Sequence, residues 1–284
     1  MSQTFPTDPS LHTTGTYGLA FQSSGYPDAG APAIQTGSVA VGSLNTTYKT
    51  PKGVSQANLG WAPQGFLFSS SAPWTTITFA SPGNPSGVIG IDSVVVKPLI
   101  PTNLILNGSF ESPVVGSGLL DVNPGVTIGN WTQSLGGVKG HYLGTNWQAA
   151  DGAQSYHLGA GAGAGSVYQA FATDIGAQYM VDFWASGFHT GAAMQYGTLA
   201  VGDLTATYWT PGGTSDSNMA WAEHAFFFTA LSTLTTLTFS SPGGTNIIGI
   251  DRVAVYRVGN VPEPASAILL LLGAGMLRRR MRRK

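Results

Sequence analysis

Apolar residues in this chain recur at every second position within short runs. Phe226 and Phe228, then Leu237 and Phe239, alternate with polar or small neighbours, the period of a strand that buries one face. Runs at 166–173, 179–186, 198–201, 222–229, 233–240 and 246–255 are rich in aromatic or β-branched residues and are separated by Gly, Pro, Asn and Asp. No stretch of similar length carries a helical period. The pattern predicts many short antiparallel strands, hence an all-β jelly-roll sandwich of roughly 155 residues, enough for one substantial core.

The alternation occurs twice. Segment 37–44 matches 197–204, and the match continues through Tyr48/Tyr208, Trp61/Trp221, Phe66/Phe226 and Phe68/Phe228, with nearly half the positions identical through 83 and 243. Gly90, Ile91 and Asp92 then pair with Gly249, Ile250 and Asp251, and upstream Tyr17 and Phe21 pair with Tyr179 and Phe183. This is an internal duplication. The predicted organisation is a disordered leader (1–15), an N-terminally truncated repeat (16–97), a linker (98–102) and one complete module (103–257). A Pro-Glu-Pro linker (258–264) and a short C-terminal hydrophobic helix with a basic tail (265–284) follow.

Charge changes the picture at the C-terminus. Arg278, Arg279, Arg280, Arg282, Arg283 and Lys284 are half of the chain's 12 Lys and Arg, whereas Glu263 is the one acid after residue 260. The body is therefore acidic and offers no basic face for nucleic acid. Without cysteine there are no disulfides, thiolate metal sites or Cys nucleophile. The uncharged run 265–277 would span roughly 20 Å as a helix, short of a relaxed membrane span. Snorkelling cations and local bilayer thinning would accommodate it, and the terminal cations would hold its end on the cytoplasmic side.

Val261, Pro262, Glu263 and Pro264, the apolar run and the cations together resemble the PEP-CTERM signal, whose profile is also labelled an ice-binding protein C-terminal domain. The resemblance implies export, transient inner-membrane anchoring, cleavage near the Pro-Glu-Pro by an exosortase-type enzyme, and a place at the cell surface or in the extracellular matrix. Residues 1–16 have neither a basic start nor an apolar core. Because an export tail calls for an export signal, the expectation is that Met1 is an internal start, with a signal peptide and the missing front of the first copy encoded upstream; gene decay is the rival.

The body resembles a second family. The run Asn103-Leu-Ile-Leu-Asn-Gly-Ser-Phe-Glu111, Trp131-Thr132, Asp151 to Tyr156 and the closing Gly-Ile-Asp-Arg-Val-Ala-Val look like the choice-of-anchor C family and, more broadly, galactose-binding-like jelly rolls of carbohydrate-binding modules. That resemblance implies an opening-strand Glu and a closing-strand Asp near a structural calcium, which places Glu111 and Asp251 as candidate ligands. The other reading is that Glu111 caps amides and Asp251 orders a turn. The first copy keeps Asp92 but has no partner for Glu111.

Sugar binding needs flat aromatic faces beside polar groups. Trp131, Trp147, Tyr156 and Trp209 are the candidates, with His157 and Tyr168 behind them. Trp209 stands out because its repeat partner is Lys49, so the fold does not require an aromatic there. Trp221 is matched by Trp61 and reads as core. Catalysis finds little support: Glu223 and His224 are strand neighbours on opposite faces, the histidines lack metal-ligand spacing, and the Gly/Ala run 159–166 does not fit a dinucleotide fingerprint. Thr-rich strands occur once per repeat, too sparsely for an ice-binding array. The expected function is non-catalytic binding of extracellular polysaccharide or cohesion within a biofilm matrix; a self-associating structural protein is the rival.

Overall fold

The computed structural model describes residues 1–7, 15–27, 32–81, 88–159, 163–191 and 193–259. Every regular element among them is a strand. The first copy comprises β1 (Ser2–Pro6), β2 (Thr16–Gly25), β3 (Ile34–Val41), β4 (Leu44–Pro51), β5 (Ala62–Ser69), β6 (Trp74–Ala80) and β7 (Ile89–Ile100). The second opens with the short strands β8 (Leu119–Val122), β9 (Thr127–Ile128), β10 (Trp131–Gln133), β11 (Gly140–Leu143) and β12 (Ser155–His157). It continues with β13 (Gly165–Ala172), β14 (Gln178–Gly187), β15 (Met194–Val201), β16 (Leu204–Pro211), β17 (Ala222–Thr229), β18 (Leu234–Ser241) and β19 (Ile248–Val258).

Each copy is a sandwich of antiparallel sheets. In the first, β1-β6-β3-β4 faces β5-β2-β7; in the second, β9-β10-β13-β18-β15-β16 faces a sheet in which β14 lies between β17 and β19, extended by β12, β11 and β8. The alternation seen in the sequence is the physical cause. In β17, His224, Phe226 and Phe228 point into the core while Glu223 and Phe227 point away. The two cores are separate, one built around Phe183, Trp131 and Phe239, the other around Phe21, Phe66 and Phe79.

Two expectations about the ends need comment. Ser2–Pro6 is not a disordered leader: β1 pairs antiparallel with β6 and takes the place that β13 holds beside β18. Phe5 meets Phe68 edge-on at 6.4 Å just as Phe171 meets Phe228 at 6.5 Å. The hydroxyl pair Thr7/Thr75 at 2.6 Å repeats Thr173/Thr235 at 2.7 Å. The predicted C-terminal helix and basic tail lie outside the described residues; among the described residues no helix is long and apolar enough to cross a membrane.

The copies are joined in two ways. Leu99 and Ile100 of β7 pair with Val258 and Arg257 of β19, making one continuous sheet through the junction. The outward faces of β2 and β5 also pack on those of β14 and β17, burying Leu99, Met180 and Ala225 against Leu67, Phe227, Tyr256 and Val258. Gly65 permits this approach, because a Cβ there would run into the Ala225 carbonyl oxygen. Gly65→Val is therefore expected to cost about 1–3 kcal/mol by overpacking and to uncouple the sandwiches. Denaturation should then show two transitions in place of a joint one, whereas a wild-type profile would mean that the interface tolerates separation.

Candidate functional site

The aromatic candidates separate into different environments. Trp131 and Tyr156 are fully buried and present no surface to solvent. Trp131 packs on Phe110 at 5.2 Å and donates its indole N–H to the Asn107 carbonyl. Tyr156 stacks on Phe110 at 5.3 Å and donates its hydroxyl to Gln133 Oε1 at 2.8 Å. Trp147 is nearly buried, stacked on Phe188 at 4.9 Å, with one edge on an open depression floored by residues 145–153. Trp209 is half-buried, leans on Tyr196 at 5.0 Å, and faces a cleft between the two copies. His157 is buried against Trp147, and Tyr168 lies exposed on β13.

The expected calcium ligands are occupied otherwise. Glu111 Oε1 accepts the backbone N–H groups of Ala153 and Gln154 at 2.8 and 2.9 Å. Asp251 Oδ2 accepts those of Ala150 and Asp151, and its Oδ1 that of Arg252. The two carboxylates thus clamp the 150–154 loop from both ends. No cluster of three His, Asp or Glu suited to a metal occurs among the described residues. Burial pushes the Asp251 carboxyl up to about 8 although its three amide donors pull the other way.

The cleft is built from matching strands of the two copies. Tyr48 and Lys49 of β4 and Gln64 and Phe66 of β5 form one wall; Trp209 and Pro211 of β16, with Trp221, Glu223 and His224, form the other, and Trp184 of β14 closes it. It encloses about 200 Å³. Trp184, Trp209 and Trp221 are all half-buried, and Lys49 is exposed. Trp221 is therefore not the core residue its repeat partner suggested: it lies across Gly249 with Trp147, and its indole N–H donates to the Gln148 carbonyl at 2.7 Å.

Sealed polar atoms without partners lie beside the cleft. Trp184 Nε1 and both ring nitrogens of His224 have no partner among the described residues. Glu223 reaches across the interface to accept the Leu67 N–H at 2.9 Å. Behind it lies Asp182, fully buried; desolvation and the neighbouring Glu223 raise its carboxyl well above the usual range, and desolvation raises Glu223 as well. Arg252 sits over the Trp184 ring at 5.8 Å. Sequence reasoning missed Trp184, yet the comparison that exposed Trp209 could have found it: the aligned residue of the first copy is Gln22.

Residues 103–255 match the model of a family described as protein of unknown function (DUF642), where the sequence resembled choice-of-anchor C. Residues 260–284 match the PEP-CTERM protein-sorting motif, which marks the chain for export and sorting. No curated protein matches. Among solved structures, TmCBM61 in complex with beta-1,4-galactotriose is similar at 20% identity over 55% of this chain and 99% of that one, with a TM-score of 0.39. The CBM22-1–CBM22-2 tandem of Paenibacillus barcinonensis Xyn10C is similar at 11% identity over 90% and 83%, with a TM-score of 0.36.

Proposed function

The chain belongs to the DUF642 family, and from that premise we propose that it is an exported bacterial surface protein whose paired sandwiches bind extracellular polysaccharide, without catalysis, in the cleft between them. The observation that carries this reading is the convergence of Trp184, Trp209 and Trp221 around about 200 Å³, with Lys49, Gln64 and Glu223 beside them. Indole faces offer apolar area to the C–H face of a pyranose, while amide, ammonium and carboxylate groups meet its hydroxyls. A cleft walled by both copies explains why the duplicated strands diverge at these positions: Trp209 faces Lys49, and His224 and Glu223 align with Gln64 and Pro63.

Binding without turnover agrees with the acids present. Glycoside hydrolysis needs two carboxyl groups flanking the bond. Among the described residues Glu223 is the one acid lining the cleft, and Asp182 behind it is sealed from solvent. In this reading the tail carries the protein to the inner membrane, an exosortase-type enzyme cleaves near Pro262–Pro264, and the sandwiches act at the cell surface or in the matrix.

Titration of the full chain with purified polysaccharides, followed by tryptophan fluorescence, tests the proposal. Saturable binding is expected for the wild type. Trp209→Ala should weaken it tenfold or more, because truncating a central indole contact costs about 2 kcal/mol. Absence of saturable binding across neutral and acidic polysaccharides, or unchanged affinity in Trp209→Ala, would sink the assignment.

A further inference from the structure

Large aliphatic side chains stand in water at one end of the second sandwich. Ile175, between β13 and β14, is 68% exposed; Leu231, between β17 and β18, and Leu234, which opens β18, are 66% and 63% exposed. Backbone hydrogen bonds hold these loops side by side. The Gly176 N–H donates to the Ala230 carbonyl, the Ala230 N–H to the Ala177 carbonyl, and the Thr173 N–H to the Thr233 carbonyl. The Thr173 hydroxyl adds a bond to the Ser232 carbonyl at 2.8 Å. The three side chains therefore share one apolar tip.

The fold does not demand leucine at this turn. In the first copy the position of Leu231 is held by Ser71, which is also exposed, so the turn closes equally well on a polar residue. Single apolar residues on a surface are ordinary, but a cluster on adjacent loops marks a contact. Leu234 is matched by Trp74, itself 63% exposed.

The sorting tail leaves from the same end. Arg257 of β19 pairs with Tyr179 near the start of β14, and its guanidinium meets the Asp174 carboxylate, next to Ile175, at 2.7 Å. Gly259 follows two residues later, and the sorting motif occupies 260–284. From Gly259 to Ala265, where the uncharged run begins, the backbone can reach at most about 20 Å. A bilayer that receives the run is thus within reach of the tip. Lys97 and Arg257 flank it, the Lys97 ammonium donating to Gln178 Oε1 at 2.7 Å. Of the acids at this end, Asp174 is paired with Arg257, and Asp203 accepts the Thr229 N–H at 2.6 Å.

We propose that Ile175, Leu231 and Leu234 form a membrane-seating tip, which enters the lipid surface beside the point where the tail crosses it. The inference rests on the reading of the tail as a membrane segment. Burying the three aliphatic side chains among acyl chains removes their area from water, while Lys97 and Arg257 are long enough to meet lipid phosphates at the headgroup level. Two attachments fix an orientation that a single flexible tail would not. The cleft then faces away from the membrane: Pro211 ends β16 and Trp221 precedes β17 at the opposite end of the sandwich, about 25 Å along an eight-residue strand. Polysaccharide outside the cell would reach the cleft while the chain is still anchored.

The chain has no cysteine, so Leu231→Cys in the full chain carries one environment-sensitive dye at the tip. The labelled protein is mixed with vesicles of phosphatidylethanolamine and phosphatidylglycerol; flotation reports the tail and the dye reports the tip. The chain is expected to float, with dye emission at 231 shifted to the blue and quenched by spin-labelled acyl chains. A dye on Ser217→Cys, exposed at the opposite end, should do neither. Ile175→Asp combined with Leu234→Asp should abolish the shift at 231 without preventing flotation. A chain that floats with the dye at 231 unshifted overturns the proposal and leaves the tail reading standing, whereas a chain that does not float overturns both. A shift without vesicles also overturns it: growth with protein concentration means contact between copies, and a constant shift means that the tail's own apolar run covers the tip. Trp209→Ala should leave the shift intact, so the tip and the cleft fail independently.

Discussion

Trp131→Ala is expected to destabilise the second sandwich by about 3–5 kcal/mol, the range for truncating a buried indole. The side chain has no exposed surface, contacts Phe110 and Phe239, and donates its N–H to the Asn107 carbonyl. Its removal leaves a void between the opening segment and the outer sheet, and leaves that carbonyl with the Phe110 N–H as its remaining donor. Because a domain is typically stable by about 5–15 kcal/mol in total, the loss should appear as a large drop in urea midpoint for the second core. The first core, centred on Phe21 and Phe79, should then unfold in a later transition of its own, split from the joint transition of the wild type. An unchanged profile would mean that Trp131 is not the keystone its burial indicates.

The second large effect is a dependence of stability on pH that His224→Gln should alter. His224 and His157 are buried, and desolvation holds both imidazoles down to about 3. The folded protein keeps them neutral between about 3 and 6.5, while the unfolded chain takes up protons there. Their contribution is therefore fully present above about 6.5 and is lost as pH falls toward 3, by about 1.4 kcal/mol per pH unit for each fully titrating group. The buried carboxyls act in the opposite sense. Asp251, raised to about 8, and the raised Asp182 and Glu223 favour the folded state at low pH, and that advantage is lost as pH climbs from about 4 through their folded values. The net slope of the wild type mixes both, so the difference between variant and wild type is the informative quantity. Gln64 occupies the equivalent core position of the first copy, which shows that the sandwich accepts glutamine. Denaturation at several pH values should find His224→Gln gaining on the wild type as pH falls from 6.5 to 3, by about one proton's slope. A constant difference would show that His224 titrates normally.

Most of the fold could be read from two signals, the period-two alternation and the duplication. Together they located six of the second copy's seven long strands to within a few residues, missing β16, and matched Tyr17 to Tyr179 and Phe68 to Phe228, which stack in the same way in their separate cores. The duplication failed where it had nothing to compare. Trp131 and Tyr156 lie in the stretch present once, on strands of three residues, too short for alternation to reveal which side is buried. β1 escaped notice because its backbone carries the pairing while its side chains are mostly exposed, and because Phe5 and Thr7 align with Phe171 and Thr173 at a different spacing from the rest. At Glu111 and Asp251 two readings stood open in the sequence, an amide clamp and a shared cation. A carboxylate facing a loop has one sequence signature whether the loop offers carbonyls to a shared cation or amide hydrogens directly; only the direction of the backbone distinguishes them. The cleft was half legible, since Trp209 against Lys49 marked a position freed from packing, but its opposite wall depended on how one sandwich sits on the other.

The continuous sheet through β7 and β19 also has a mechanical side. β19 runs between β14 and the cover strand β12, and the chain leaves it at Gly259, whose N–H is held by the Pro98 carbonyl of β7. Tension applied through the C-terminal segment would therefore act along β19, against hydrogen bonds lying crosswise to the pull on both flanks. Such bonds must yield together in shear instead of opening one after another like a zip. Load would be shared by both sandwiches.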